Sequence, residues 1–257
     1  MSSSVLMEEI DAFTYREMVT NGEKIIIVPV GAIEQHGPHM PVGVDAMLSR
    51  ALSVSLAKKV NGLVAPGITF GYKSQQRSGG GYHLAGGLFM TGTTLINHVK
   101  ELVVELASHG NRKIVFCNGH YENYQFMFEG IDEALRLLKL QGIDNMKVLL
   151  LSYWDFVDDN TIDKLYPNGF TGWDLEHGGV LETSLMLLLY PEKVDMSKVV
   201  KADPASLPNY DILPIQPELT PDSGCLSCAI EASSEKGEIL LSVASDAMAK
   251  AVYKEFS

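Results

Sequence analysis

Apolar residues along the chain fall into two kinds of pattern. Four short continuous runs, 24–30 (KIIIVPV), 62–67 (GLVAPG), 113–117 (KIVFC) and 147–151 (KVLLL), lack polar alternation and favour β-branched residues. Runs of this kind predict strands buried on both faces of a parallel sheet. Between them the period lengthens. Residues 46–60 carry leucine, alanine and valine at helical spacing, and 93–109 do so more regularly, with Gly110 placed to end the helix. Segment 123–140 carries Phe126, Ile131, Ala134, Leu135 and Leu138, with Gly142 just beyond. Segment 179–190 is almost wholly apolar and stops before Pro191, and 239–256 is a final amphipathic helix.

Strands alternating with helices predict an α/β fold, a parallel sheet covered by helices on both faces. Ligands in such sheets bind beyond the carboxyl ends of the strands. The residues just after each run are therefore informative. Glu34 and His36 come after the first, and Gly71-Tyr72-Lys73-Ser74-Gln75-Gln76 after the second. Asn118-Gly119-His120-Tyr121-Glu122 comes after the third, and Ser152-Tyr153-Trp154-Asp155 after the fourth. Polar and aromatic groups thus accumulate at one edge of the sheet.

The 257 residues, 46% hydrophobic, suffice for one domain spanning 1–257. The exception to its regularity is 202–224, which holds Pro204, Pro208, Pro214, Pro217 and Pro221 without periodicity; a segment packed on another subunit is expected. Net charge is −12, from 20 basic and 32 acidic residues with no like-charge run, which argues against nucleic acid as a partner. No stretch approaches ~18 uninterrupted apolar residues, and 1–9 lacks the basic-then-apolar order of an export signal, so no membrane partner is expected. With three cysteines, the expected location is the cytoplasm. Cys117 reads as a buried small side chain, and Cys225 and Cys228 form a lone CxxC without a second pair.

Two segments, Glu34-Gln35-His36 and His120-Tyr121-Glu122, each pair one imidazole with one carboxylate two residues apart. On an extended chain such residues share a face, so both pairs can converge on one point, and Asp45 supplies a fifth donor. Two imidazoles and three carboxylates exceed the needs of one tetrahedral zinc. They suit two divalent cations sharing a carboxylate and a water.

A second constellation runs from Gly172 to Glu182, ahead of the apolar helix. Glu176 and Glu182 are placed to orient metal-bound imidazoles from behind, and His177 to carry a proton. A plainer reading makes the acids caps at the positive end of that helix. Trp154 and Trp173, the only tryptophans, lie in site-edge segments and predict a planar, cationic or amide-like substrate. Ser78-Gly79-Gly80-Gly81 has the composition of a backbone anion nest, without the GK[ST] of a phosphate loop. His39 and His83 are candidate substrate contacts by proximity in sequence, whereas His98 and His109 belong to a helix.

Together these motifs resemble the creatininase (creatinine amidohydrolase) family. The resemblance rests on residues 30–37 (VGAIEQHG), Asp45, residues 118–123 (NGHYEN), Glu176-His177-Gly178-Gly179 and Glu182-Thr183-Ser184. Residues 71–76, 152–156 and 172–174 are closest to true creatininases. The sequence departs from many relatives at Leu84-Ala85-Gly86-Gly87-Leu88, where they carry a Phe-Pro-Gly-Thr type segment; this bears on pocket shape or subunit contact. The resemblance implies a three-layer α/β/α subunit with a mostly parallel sheet, assembled as a homohexamer, with two zinc and/or manganese ions. It implies Glu34, Asp45 and His120 on one ion, and His36, Asp45 and Glu122 on the other. It places Ser78, Tyr121, Trp154, Trp173, Asp174 and His177 against the substrate.

The implied activity is reversible hydrolysis of the lactam of creatinine to creatine by a metal-bridging hydroxide, with Glu122 and His177 as the catalytic pair. The alternative within the family is an amidohydrolase acting on a formamide, a peptide or another cyclic amide. A protein keeping its metals only for structure would favour a closed, cysteine-rich site over this carboxylate-rich one. A two-metal phosphoesterase would need more basic groups than Lys73 and Arg77.

Overall fold

The four apolar runs are four parallel strands in a computed structural model that describes residues 4–257. They are β1 (Ile25–Val30), β2 (Gly62–Val64), β3 (Lys113–Asn118) and β4 (Lys147–Ser152), in the order β2-β1-β3-β4. The helices are α1 (Ala12–Val19), α2 (Val44–Val60), α3 (Gln76–Gly79), α4 (Gly92–Ser108), α5 (Tyr124–Leu140), α6 (Asp159–Leu165), α7 (Val180–Leu189) and α8 (Ser234–Phe256).

Side chains alternate across the sheet, and the alternation divides the core in two. Ile25, Ile27, Val115 and Cys117 face α2, α7 and α8, while Ile26, Val28, Ile114 and Phe116 face α4 and α5. Both faces are covered, which explains runs apolar at every position. Removing a large buried side chain such as Phe116 is expected to cost about 3–5 kcal/mol.

Where the elements differ from expectation, local chemistry accounts for it. β2 stops at Val64, because Pro66 has no N–H to continue the ladder. α8 begins at Ser234, since the Ser233 hydroxyl accepts the Lys236 N–H and starts the helix early. α1 and α6, not anticipated, are short helices capped by Asp11 and Asp158.

Segment 202–224 does not depend on another subunit for all of its packing. Its later part is tied to its own chain: the Thr220 hydroxyl donates to Gly80 O (2.8 Å) and Gln35 Nε2 to Gly224 O (2.9 Å). Among the described residues no helix is long and apolar enough to cross a membrane. Of segment 1–9, in which no export signal is expected, residues 1–3 lie outside the described ones.

The register matters most for the site. Val30 pairs with Asn118, and Asn118 with Ser152, so β1, β3 and β4 end at one level. The polar segments after them leave the sheet side by side.

Candidate metal centre and active site

Asp45 lies in the first turn of α2, at its positive end. That turn packs against the end of β3 because residue 119 is glycine: a Cβ there would stand 2.7 Å from the Asp45 carbonyl oxygen. Gly37, at φ +77, turns the chain just past His36. Asp45 is thereby held between the segments that leave β1 and β3.

Glu34, His36, Asp45 and His120 are each 3% exposed or less. Asp45 Oδ1 lies 2.9 Å from His36 Nε2, and Asp45 Oδ2 lies 3.0 Å from His120 Nδ1. Glu34 Oε1 is 3.1 Å from His120 Nδ1. The Ser74 hydroxyl donates to the other oxygen of Glu34. Each histidine spends its second nitrogen on a backbone carbonyl. His36 Nδ1 faces Glu34 O at 3.3 Å, and His120 Nε2 faces Tyr72 O at 2.9 Å. Carbonyls only accept, so the protons sit on those outer nitrogens and the inner nitrogens present lone pairs, as metal-ligating histidines do.

Three trios result, each with donor atoms within 4.8 Å of one another: Glu34–His36–His177, and the two that share Asp45, Glu34–Asp45–His120 and His36–Asp45–Glu182. Glu34–Asp45–His120 is the expected one. The other trio on Asp45 contains Glu182, 3.4 Å from His36 Nε2, where Glu122 was expected. The reason is local backbone. The rule that residues two apart share a face holds for extended chain, but Tyr121–Asn123 is a 3₁₀ turn that swings Glu122 away. Its Oε1 instead accepts from the Ser78 hydroxyl (2.6 Å) and the Gln75 N–H (2.7 Å). Its Oε2 stands 3.3 Å from His120 Nε2.

The donor set fits divalent cations on two counts. His36 Nε2 and Asp45 Oδ2 are buried without hydrogen bonds, although each has a donor atom of the other kind about it; their lone pairs aim at common points instead. The carboxylates of Glu34, Asp45, Glu122 and Glu182 also gather with no Lys or Arg in the cavity lining. Buried negative charge of that density requires cations. In their absence the imidazoles respond. Burial lowers the pKa of His36, but Glu182 and Asp45 outweigh it and raise it well above the usual histidine value. Burial likewise opposes, and Glu34 and Glu122 outweigh it, for His120. Asp45 is held down at about 2, burial being overcome by the two imidazoles.

A cavity of about 180 Å³ opens onto these groups. Ser78, Tyr121, Glu122, Trp154, Trp173, Asp174, Glu176, His177 and Glu182 all line it, as expected. His177 Nδ1 points inward, 3.7 Å from Glu34 Oε1, while its Nε2 lies 2.8 Å from Gln35 O. Trp173 packs edge-on against Phe170, with ring centroids 5.1 Å apart. Asp174 is exposed at the rim, 3.9 Å from Arg77. Burial pushes Glu122 above the ordinary carboxylate range.

Glu176 and Glu182 also bond the backbone at the start of α7. Glu176 Oε1 accepts the Leu181 N–H (2.5 Å), and Glu182 Oε2 the Gly178 N–H (2.7 Å). The capping reading therefore holds for Glu176, whereas Glu182 ties the chain just ahead of the helix. Glu176 is pushed up to about 7 by burial.

Other candidates fall outside. His39 is buried, with Nε2 2.9 Å from the Thr183 hydroxyl, and does not line the cavity; nor does His83. The glycine-rich segment is no anion nest, since the N–H groups of Ser78, Gly79 and Gly81 all point at Gln75 O. Cys225 and Cys228 are free thiols. Four further residues line the cavity without having been assigned a role: Gly119, Tyr153 and Asp155, from segments expected at this edge of the sheet, and Leu181. Tyr153 and Asp155 flank Trp154 and come directly after a strand, a signal available in the sequence. Nothing in the sequence singles out Leu181 from the other apolar positions of α7.

Comparison with known proteins gives a consistent picture. The family model described as creatininase, creatinine amidohydrolase, matches residues 8–252. A creatinine amidohydrolase of Pseudomonas putida is 50% identical over 257 residues, 100% of this chain and 99% of that one. A mutant creatininase of Zn-Zn type superposes with a TM-score of 0.98 at 50% identity, covering 99% of each chain. A manganese creatininase does so at 0.97, with 50% identity and the same coverage. A mutant creatininase complexed with creatine aligns at 0.96 and 49% identity, again over 99% of each.

Proposed function

Because this chain belongs to the creatininase family, we propose that it opens the lactam of creatinine with water to give creatine, and catalyses the reverse closure. One water adds across the ring C–N bond: its oxygen joins the carbonyl carbon, and a proton reaches the departing nitrogen. The observation that carries this reading is Asp45, whose two oxygens face the inner nitrogens of two histidines in two separate trios. A carboxylate so placed could serve both trios at once.

Glu34, Asp45 and His120 would hold one ion, and His36, Asp45 and Glu182 the other. Zinc and/or manganese held there would supply Lewis acidity for the carbonyl and would lower the pKa of a water, to about 7 in the case of zinc. Glu122, oriented by Ser78 and the Gln75 N–H, takes a proton from the attacking water. His177 hands a proton to the ring nitrogen from Nδ1, with Gln35 O fixing the ring through Nε2. Trp154 and Trp173 hold the flat ring between aromatic faces, Tyr121 and Ser78 border it, and Asp174 meets its amino edge.

We take 1–257 as a single domain working in the cytoplasm as a homohexamer. Support for assembly comes from exposed apolar side chains, among them Phe70, Leu88, Phe128 and Leu213. Light scattering of the purified protein tests the subunit count.

Incubation with creatinine and direct detection of creatine tests the reaction. The expected result is conversion that chelation abolishes and added zinc or manganese restores. Turnover of another cyclic amide, a formamide or a peptide with none of creatinine would overturn the substrate assignment.

A further inference from the structure

Tyr153 is 2% exposed and belongs to the core that packs against α2, α7 and α8, yet it also lines the cavity. It opens the 3₁₀ turn Tyr153–Phe156 at the end of β4, and its ring meets Trp154 edge-on at 5.1 Å. The residue before it, Ser152, is tied to Asn118 Nδ2 at 3.2 Å. The ring is thus fixed by the sheet on one side and by an aromatic neighbour on the other.

Its hydroxyl makes no hydrogen bond within the described residues and, unlike that of Tyr166, is not sealed from solvent. A phenol on the cavity wall that meets no protein acceptor is free to donate to a ligand bound there. Burial first, then the nearby carboxylates of Glu182, Asp45 and Glu176, raise its pKa well above the usual tyrosine value. A phenol's ordinary pKa, about 10, is enough to make it a neutral donor near neutral pH.

The other tyrosines near the cavity differ. Tyr121 is 60% exposed and solvated. The Tyr166 hydroxyl is sealed from solvent and from the cavity.

Resting on the creatinine reading, we infer that Tyr153 is a catalytic residue whose hydroxyl donates a hydrogen bond to the oxygen of the scissile carbonyl. Its O–H stays intact throughout: the bond from water oxygen to carbonyl carbon forms, the ring C–N bond breaks, and the proton reaching nitrogen comes from the water by way of side chains other than Tyr153. The lactam oxygen is a neutral acceptor, whereas in the tetrahedral state and in the carboxylate of creatine it bears charge. A hydrogen bond to a charged oxygen is about twice as strong as one to a neutral oxygen, so the contact tightens along the reaction and acts on kcat rather than on substrate binding.

The test is Tyr153→Phe in the metal-loaded enzyme, which keeps the ring and removes only the donor. Metal content per chain, melting temperature, steady-state kinetics on creatinine and calorimetric affinity for creatine are measured beside the wild type. Expected are unchanged metal content and melting, kcat lower by about tenfold to a hundredfold, KM within about threefold and weaker creatine binding. A kcat within about twofold of the wild type would overturn the assignment. So would a loss of kcat that tracks a loss of metal, because the hydroxyl would then be positioning Glu182. A wild type unable to open creatinine would overturn the substrate reading and this assignment together, whereas an active wild type beside an undiminished variant overturns this assignment alone.

Discussion

Glu182 reaches His36 from the opposite side of the fold: its Oε1, carried on the first turn of α7, lies 3.4 Å from the Nε2 of a residue just past β1. On the proposed reading this contact would make α7 part of the metal centre and leave Glu122 for proton transfer. The two acids should therefore respond differently to loss of charge. Glu182→Gln is expected to retain about one of two divalent ions per chain, as one trio loses a ligand. Glu122→Gln is expected to keep both ions and lose turnover by about a hundredfold or more. Elemental analysis of the two purified variants decides the matter, and loss of metal from Glu122→Gln would restore the ligand set implied by sequence.

The difference between these acids shows which parts of the site were readable beforehand. Glu34, His36, Asp45 and His120 could be found because they come after apolar runs or begin a helix, and aligned strand ends bring such positions together without further information. Glu122 and Glu182 could not be ranked, since their roles depend on backbone that spacing does not reveal. A 3₁₀ turn at Tyr121–Asn123 redirects one, and the packing of α7 against the sheet delivers the other. The strands were legible for the same reason as the four ligands, burial on both faces. α1 and α6 were not, because short, capped, half-exposed helices carry little apolar signal.

His177 faces the centre through Nδ1 at 3.7 Å from Glu34, but belongs to neither of the trios built on Asp45. His177→Ala should leave metal content intact and reduce kcat by about a hundredfold or more, the scale of a lost general acid. Parallel loss of metal and turnover would instead make this imidazole a ligand.

Glu176 provides a pH signature of its own. Burial pushes its carboxyl up to about 7, against an ordinary value of 4.5. A carboxyl raised on folding contributes fully below the unfolded value and loses that contribution as pH climbs to the folded one. The loss amounts to about 3 kcal/mol by pH 8. Glu176→Gln keeps an oxygen for the Leu181 N–H and carries no charge. Its melting temperature should therefore rise relative to the wild type between pH 4.5 and 7 and level off above that range. Parallel melting curves for the two proteins across the range would place the Glu176 titration elsewhere.

Removing the metals exposes a second dependence, of the same sign and different origin. In the stripped protein His36 and His120 take up protons in place of cations, and the surrounding carboxylates raise both pKa values well above 6.5 despite burial. Groups raised on folding stabilise most below their unfolded pKa, and that stabilisation disappears as pH rises through the folded value. The stripped protein should thus remain folded near pH 6, held by imidazolium inside a ring of carboxylates, and weaken steadily toward pH 9. The loaded protein should behave differently, because a bound cation replaces those protons and its affinity grows as they leave. The gap in melting temperature between loaded and chelator-treated enzyme is therefore expected to widen with pH, while added zinc or manganese closes it and restores turnover. A constant gap would mean that the histidines carry no proton in the empty site; unfolding on chelation already at pH 6 would make the metals part of the fold rather than of the chemistry.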